Sequence, residues 1–218
     1  MHYQFLIEDQ SSAILVGILM EKIRESNPQI TFDTKPFHGI GGFTKKNTIK
    51  ETKTGKLLND LATYMKGFNK SLQHIKAALF IVLDNDDRDT EAFKLELESV
   101  AKQNNISIDH VFCIAIEEVE AWLLGDEKAL IEAYPHYNSQ ALRSYVQDSI
   151  CGTWETLANV VYHGGYIKLK KECKSYHEIG ELKCEWANRI GEKMNINENE
   201  SPSFNFFLSE ISKRIPAA

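Results

Sequence analysis

Residues 77–89 read Ala-Ala-Leu-Phe-Ile-Val-Leu-Asp-Asn-Asp-Asp-Arg-Asp. Seven apolar residues in a row are the pattern of a strand buried on both faces, as in a parallel sheet with helices above and below it. The run stops abruptly at acids. Upstream, 3–8 (YQFLIE) is a second apolar run that ends in an acid, and 29–34 (QITFDT) alternates like a further strand. Downstream, 110–116 (HVFCIAI) is a fourth, followed by Glu117, Glu118 and Glu120. Between these runs lie segments of helical period: Ile14, Leu15, Ile18, Leu19 and Ile23 after the first, and Leu57, Leu58, Leu61, Met65 and Phe68 before the third. Phe93, Leu97 and Val100 follow the third. Ser11 or Ser12 is the expected cap of the first helix. The β-α-β-α-β-α-β alternation predicts an α/β fold: a mostly parallel sheet with helices on both faces.

After Glu117 the pattern becomes helical. Short helices are expected at 120–124, 127–134 and 139–146. Ser175-Tyr176-His177-Glu178 reads as a capping box opening a helix with Ile179, Leu182, Trp186 and Ile190 on one side. Ser201-Pro202 sets an N-cap and an N1 proline for a last helix carrying Phe204, Phe207, Leu208 and Ile211. The expected organisation is an α/β domain over 1–125 and a C-terminal helical region over 126–218 packed on it.

The 218 residues fit one large domain or one domain with an extension. No apolar run approaches the roughly 20 residues of a membrane helix. The N-terminus has no basic stretch or cleavage signature. Cys113, Cys151, Cys173 and Cys184 are far apart and read as reduced core thiols. A cytoplasmic protein without membrane contact is expected. The net charge of −6 argues against a protein that coats nucleic acid nonspecifically, because such proteins are usually basic.

Three acidic clusters stand at three expected strand ends: Glu8-Asp9, the run Asp84 to Asp89, and Glu117-Glu118 with Glu120. Ligands of open parallel sheets bind outside the carboxyl ends of the strands, so the clusters should face one crevice. Carboxylates that close repel one another. A hard divalent cation removes the repulsion, and oxygen is the ligand Mg²⁺ prefers. If strand alternation persists, Asp84 and Asp86 point the same way and both reach one ion. Asp87 or Asp89 is expected only to favour the start of the next helix.

Other motifs do not fit. The Asp84 run lacks the glycine and the terminal glutamate of a calcium-binding loop. Residues 39–46 (GIGGFTKK) lack the spacing of a phosphate-binding loop and of a dinucleotide fingerprint. A phosphoacceptor role for Asp84 would need a fifth strand with a terminal lysine. Cys173, His177 and Cys184 match no standard zinc spacing and lack a fourth ligand.

Glu8 after the first strand, with Asp84-Asn85-Asp86 after a later buried one, resembles the Toprim domain of topoisomerases, primases and certain nucleases. More of the chain is similar to bacterial Toprim-like proteins grouped as domain-of-unknown-function family 4276. That likeness runs through 116–124 (IEEVEAWLL), 151–155 (CGTWE) and 201–204 (SPSF). Asp9 stands where Toprim domains usually carry glycine. The resemblance implies Mg²⁺- or Mn²⁺-dependent phosphoryl-transfer chemistry on DNA or RNA. It also implies a separate ABC-type or AAA-type ATPase partner in phage defence, since this chain has no ATPase motif.

Among Toprim chemistries, the chain is too small for strand passage and lacks a primase zinc module, which leaves hydrolysis. In that reading Asp84 and Asp86 bind metal, and Glu8 is a ligand or the general acid/base. Glu117 or Glu120 is a further ligand. Lys45, Lys46, Lys50, Lys53 and Lys56 form one candidate nucleic-acid-binding segment, and Lys168, Lys170, Lys171 and Lys174 a second. The tryptophans are expected in the core. The alternative is a non-catalytic regulatory or sensor subunit that keeps the fold and binds an ATPase.

Overall fold

In a computed structural model, which describes residues 1–42 and 55–216, the chain is an α/β protein with a four-stranded, all-parallel sheet. The strands are β1 (His2–Ile7), β2 (Thr31–Pro36), β3 (Ala77–Asp84) and β4 (Asp109–Ala115), in the spatial order β2-β1-β3-β4. Helix α1 (Gln10–Ser26) joins β1 to β2, α2 (Leu57–Ser71) precedes β3, and α3 (Thr90–Gln103) joins β3 to β4. The rest of the described chain contains seven helices: α4 (Glu120–Leu124), α5 (Glu127–Ala133), α6 (Ser139–Ser144), α7 (Thr153–Val161), α8 (Gly165–Glu172), α9 (Tyr176–Gly191) and α10 (Pro202–Ser212).

Period-two alternation assigns the strand side chains to two cores. Tyr3, Phe5, Ile7, Ala78, Phe80, Val82, Val111 and Cys113 face α1, α9 and α10. Leu6, Leu79, Ile81, Leu83, Phe112 and Ile114 face α2 and α3. Phe207 of α10 packs on Phe5, Phe80 and Trp122 at centroid separations of 5.0–6.4 Å, and the Tyr3 hydroxyl donates to the Ile211 carbonyl. A Cβ on Gly191 would meet the Leu15 side chain at 3.0 Å, so this glycine lets α9 approach α1 closely. The helical segments therefore complete the core on one face of the sheet.

Sequence patterns that read as motifs are partly structural clasps. The Trp122 indole donates to the Ser203 hydroxyl, and Asn199 donates to the Trp122 carbonyl. Asp148 accepts from the Ser201 hydroxyl and the Ser203 N–H. Ser201 caps α10 as expected, and Ser175 caps α9. The cap of α1 is Asp9 rather than Ser11 or Ser12, because its carboxylate reaches the Ser12 N–H at 2.8 Å. All four cysteines are free thiols, but only Cys113 lies in the core; Cys151 is exposed. No helix among the described residues is long and apolar enough to cross a membrane.

The topology selects one place on the sheet. The chain leaves β1 for α1 on one face and leaves β3 for α3 on the other. Adjacent strands whose connections depart to opposite faces leave a crevice at their carboxyl ends, the usual ligand position in open α/β sheets. Here that crevice lies between β1 and β3.

Candidate functional site

Glu8 follows β1 directly and Asp84 ends β3, so both stand at this crevice. Glu8 Oε2 accepts the Asp84 N–H at 3.0 Å. Asp84, 6% exposed, shares the parity of Val82 and Phe80 and turns toward the helical side of the sheet, where its Oδ1 accepts the Val119 N–H at 2.9 Å. Among the described residues nothing donates to Glu8 Oε1 or Asp84 Oδ2. Burial pushes the Glu8 carboxyl up to about 7, helped by the charges of Asp9 and Asp86 and opposed by the Asp84 N–H and Lys183. Asp84 is held well above the ordinary carboxylate range by burial, then by Glu8, Glu120 and Asp9. Burial and neighbouring acids thus favour the protonated form of both carboxyls.

Asp86 is placed differently from the expectation. Strand geometry ends at Asp84, and Asp86 adopts a left-handed backbone with φ 50°. Its carboxylate pairs with Arg88 at 2.6 Å. It remains close enough to raise the Glu8 pKa. Asn85 explains the turn: its side chain accepts the Glu117 N–H and donates to the Thr90 hydroxyl and the Arg88 carbonyl. Asp89 caps α3, as expected for the end of an acidic run.

The third cluster divides its roles. Glu117, itself left-handed at φ 59°, accepts from the N–H groups of Cys151, Gly152 and Thr153 and from the Thr153 hydroxyl. Against burial, which raises it, these donors hold its carboxyl below the ordinary value. Both oxygens are engaged at the start of α7, so Glu117 is an anchor rather than an open ligand. Glu120, 5% exposed, turns inward and contributes to the field on Asp84. Glu118 accepts the Trp154 N–H at 2.8 Å.

The group missed in the sequence is Lys183. From α9 it reaches Glu120 at 3.1 Å and Glu118 at 3.6 Å, with its side chain 16% exposed. Burial alone would lower its pKa; Glu120, Glu118, Asp9 and Asp84 together raise it, so it is a permanent cation here. A signal was available. Lys183 stands four residues after Ile179 and three before Trp186, inside the apolar stripe of α9, where a solvated lysine does not belong.

Compared with known proteins, the chain matches no family model, no curated protein and no solved structure.

Among the described residues, no three His, Cys, Asp or Glu side chains are gathered so that they could hold an ion by themselves. Mg²⁺ does not require that: it usually takes one or two carboxylates and completes its shell with water and substrate phosphate. Glu8 and Asp84 supply two hard donors with open oxygens, and a dication would offset the cost that burial and neighbouring acids place on their charged forms, so the donor set fits such an ion. Asp86 and Glu120 flank them, each already ion-paired.

Of the candidate nucleic-acid contacts, Lys168, Lys170 and Lys171 lie on α8, which packs on α7, the helix anchored by Glu117. Lys45, Lys46 and Lys50 lie outside the described residues. Trp122 and Trp186 are core residues, whereas Trp154 is half-buried against Tyr166.

Proposed function

We propose that this chain is a Mg²⁺- or Mn²⁺-dependent phosphodiesterase acting on DNA or RNA, a Toprim-like nuclease. The observation that carries the reading is the meeting of Glu8 and Asp84 at the switch point between β1 and β3, with open oxygens and pKa values raised first by burial and then by neighbouring carboxylates. Glu8 and Asp84 would hold the ion, with Asp86 and Glu120 beside them. A bound dication would supply charge for the attacking and leaving oxygens of a phosphodiester. The alternative role for Glu8 is general acid/base with Asp84 holding the ion; the metal-free Glu8 carboxyl, pushed up to about 7, suits that role only if the ion does not bind it. Lys183 pairs with Glu118 and Glu120 and pulls against the acids around Asp84, which limits their repulsion. The lysines of α8 would contact phosphates.

The resemblance of the acid set to Toprim domains supports this reading. It also supports a role as a cytoplasmic effector with a separate ABC-type or AAA-type ATPase in phage defence. The test is cleavage of single- and double-stranded DNA and structured RNA with Mg²⁺ or Mn²⁺, with and without candidate ATPase subunits. Metal-dependent cleavage that disappears in Asp84→Asn is expected; cleavage unchanged in that variant would overturn the mechanism.

One observation favours a second reading, a non-catalytic regulatory subunit. Glu117 is fully engaged, and Glu118 and Glu120 already share one internal cation, Lys183. A stable ATPase complex with neither a metal-induced thermal shift nor cleavage would select it.

A further inference from the structure

We propose that the surface formed by α8 and the start of α9 binds single-stranded nucleic acid, with Tyr176 as a base-stacking platform and Lys170, Lys171 and Lys174 as phosphate contacts. Tyr176 is 93% exposed, so its ring contributes almost nothing to the core. Its backbone is nevertheless fixed. It is the first residue of α9, Ser175 caps the helix, and Glu178 accepts the Lys174 N–H at 2.9 Å. A large ring held outward from a rigid helix start is suited to stacking. Ile167 of α8 is also exposed, at 70%.

Over residues 165–181 four lysines stand against three glutamates, and Glu155 also acts on Lys170, so what favours phosphate is that three of the lysines are left without an ion pair among the described residues. Glu172 accepts from the Tyr162 hydroxyl at 2.6 Å and pairs with Lys168 at 3.8 Å, Glu178 accepts the Lys174 N–H, and Glu181 stands 3.6 Å from His177, a charge pair only when that histidine is protonated. Lys170, Lys171 and Lys174 form no ion pair among the described residues. Lys170 instead lies 5.5 Å from the Tyr166 ring centroid, within electrostatic reach of Tyr176. Cations interleaved with aromatic faces are the common plan of single-strand binding, where lysines follow the backbone and bases stack without sequence preference. A duplex offers no free base face to Tyr176.

Direct contacts join this surface to the acidic centre. Glu118, paired with Lys183, holds the Trp154 N–H; Trp154 packs edge-on against Tyr166 at 5.1 Å; and Tyr166 carries Lys170. Delivery of a bound strand to Glu8 and Asp84 rests on the phosphodiesterase reading; the binding itself does not.

The test is fluorescence anisotropy of the full chain with labelled oligothymidylate, oligouridylate and a duplex, in EDTA so that binding is read without metal or cleavage. Both single strands should bind more tightly than the duplex. Tyr176→Ala should weaken them by roughly 5- to 150-fold, while Tyr176→Trp retains binding. Lys170→Gln with Lys171→Gln should flatten the slope of log affinity against log salt by about 1.4, or about 0.7 for each lost phosphate contact. Both positions are exposed, and an unchanged melting temperature verifies the fold. Absent binding, equal affinity for duplex, or an unaffected Tyr176→Ala would each overturn the proposal. If these arms succeed while Mg²⁺ gives neither thermal shift nor cleavage, the phosphodiesterase reading fails and the surface stands. Cleavage of single strands with an unchanged KM in Tyr176→Ala overturns the surface and leaves that reading intact.

Discussion

Glu8 Oε2 accepts the Asp84 N–H at 3.0 Å, so the ends of β1 and β3 are joined by a carboxylate that would be more stable protonated. The Glu8 N–H donates to the Val82 carbonyl as the ladder continues, and the side chain then closes back over the next residue. Position and pKa have opposed origins: the hydrogen bond fixes the carboxylate and favours its charge, and burial of that place disfavours the charge more strongly.

This predicts the pH dependence of stability. Burial raises the Glu8 pKa from 4.5 to about 7, so between these values the folded state holds a proton that the unfolded state has released. The stabilising effect is complete below pH 4.5 and is lost as pH rises through about 7. Glu118, pushed up to about 7 by burial against the pull of Lys183, acts in the same direction. Without metal, the melting temperature should fall between pH 5 and pH 8. The Mg²⁺- or Mn²⁺-induced rise should be larger at pH 8, because the metal needs the deprotonated carboxylates. A metal shift independent of pH would place the ion elsewhere.

Removal of Lys183 tests the internal cation. Lys183→Ala leaves Glu118 and Glu120 without their partner, which should cost about 3–5 kcal/mol, or roughly 6–20 °C in a chain of this size. Glu120→Gln in the Lys183→Ala background should restore part of the loss, since one of the two stranded charges is gone. Differential scanning calorimetry of the single and double variants gives the coupling. Additive losses would mean that the pair does not interact.

The elements were legible where one physical signal dominated. The strand expected at 77–83 extends only one residue further, to Asp84, because an apolar run covered on both faces has little freedom in its ends. The edge strand expected at 29–34 instead spans Thr31–Pro36, since its largely polar residues do little to fix its limits. At the site, strand-end position located Glu8 and Asp84. It failed for Asp86, where the Asn85 hydrogen bonds and a left-handed backbone replace alternation. It could not separate Glu117 from Glu120, because their roles depend on which helices approach: the start of α7 engages Glu117, and α9 brings Lys183 to Glu120. Those are contacts between distant segments: the lysine inside the apolar stripe of α9 marks an unusual group, but nothing local tells which acid it meets.

Glu117→Ala should therefore be a stability variant. It removes the acceptor of three backbone N–H groups and one hydroxyl at the start of α7, a loss of about 2–3 kcal/mol on the scale of charged hydrogen bonds and helix caps. Its Mg²⁺-induced thermal shift should persist, since Glu8 and Asp84 are untouched. Loss of that shift with no change in melting temperature would return Glu117 to the set of ligands.

Substitutions at the two central carboxylates should separate stability from activity. Glu8→Gln and Asp84→Asn keep the oxygens that accept from the Asp84 and Val119 N–H groups, so the local hydrogen bonds can survive. Each removes a charge that burial and neighbouring acids disfavour. Without metal at pH 8, both variants should melt above the parent protein, by roughly 2–4 °C for each kcal/mol of relieved repulsion. The same substitutions remove hard anionic donors, so the Mg²⁺ and Mn²⁺ shifts should shrink or disappear, and metal-dependent cleavage should be abolished. A functional site kept at the expense of stability gives this opposed pair of effects. Thermal melts with and without metal, run beside the cleavage assay, read both. If Asp84→Asn melts below the parent and still binds metal, the buried acids serve the fold alone, and the metal-site reading falls.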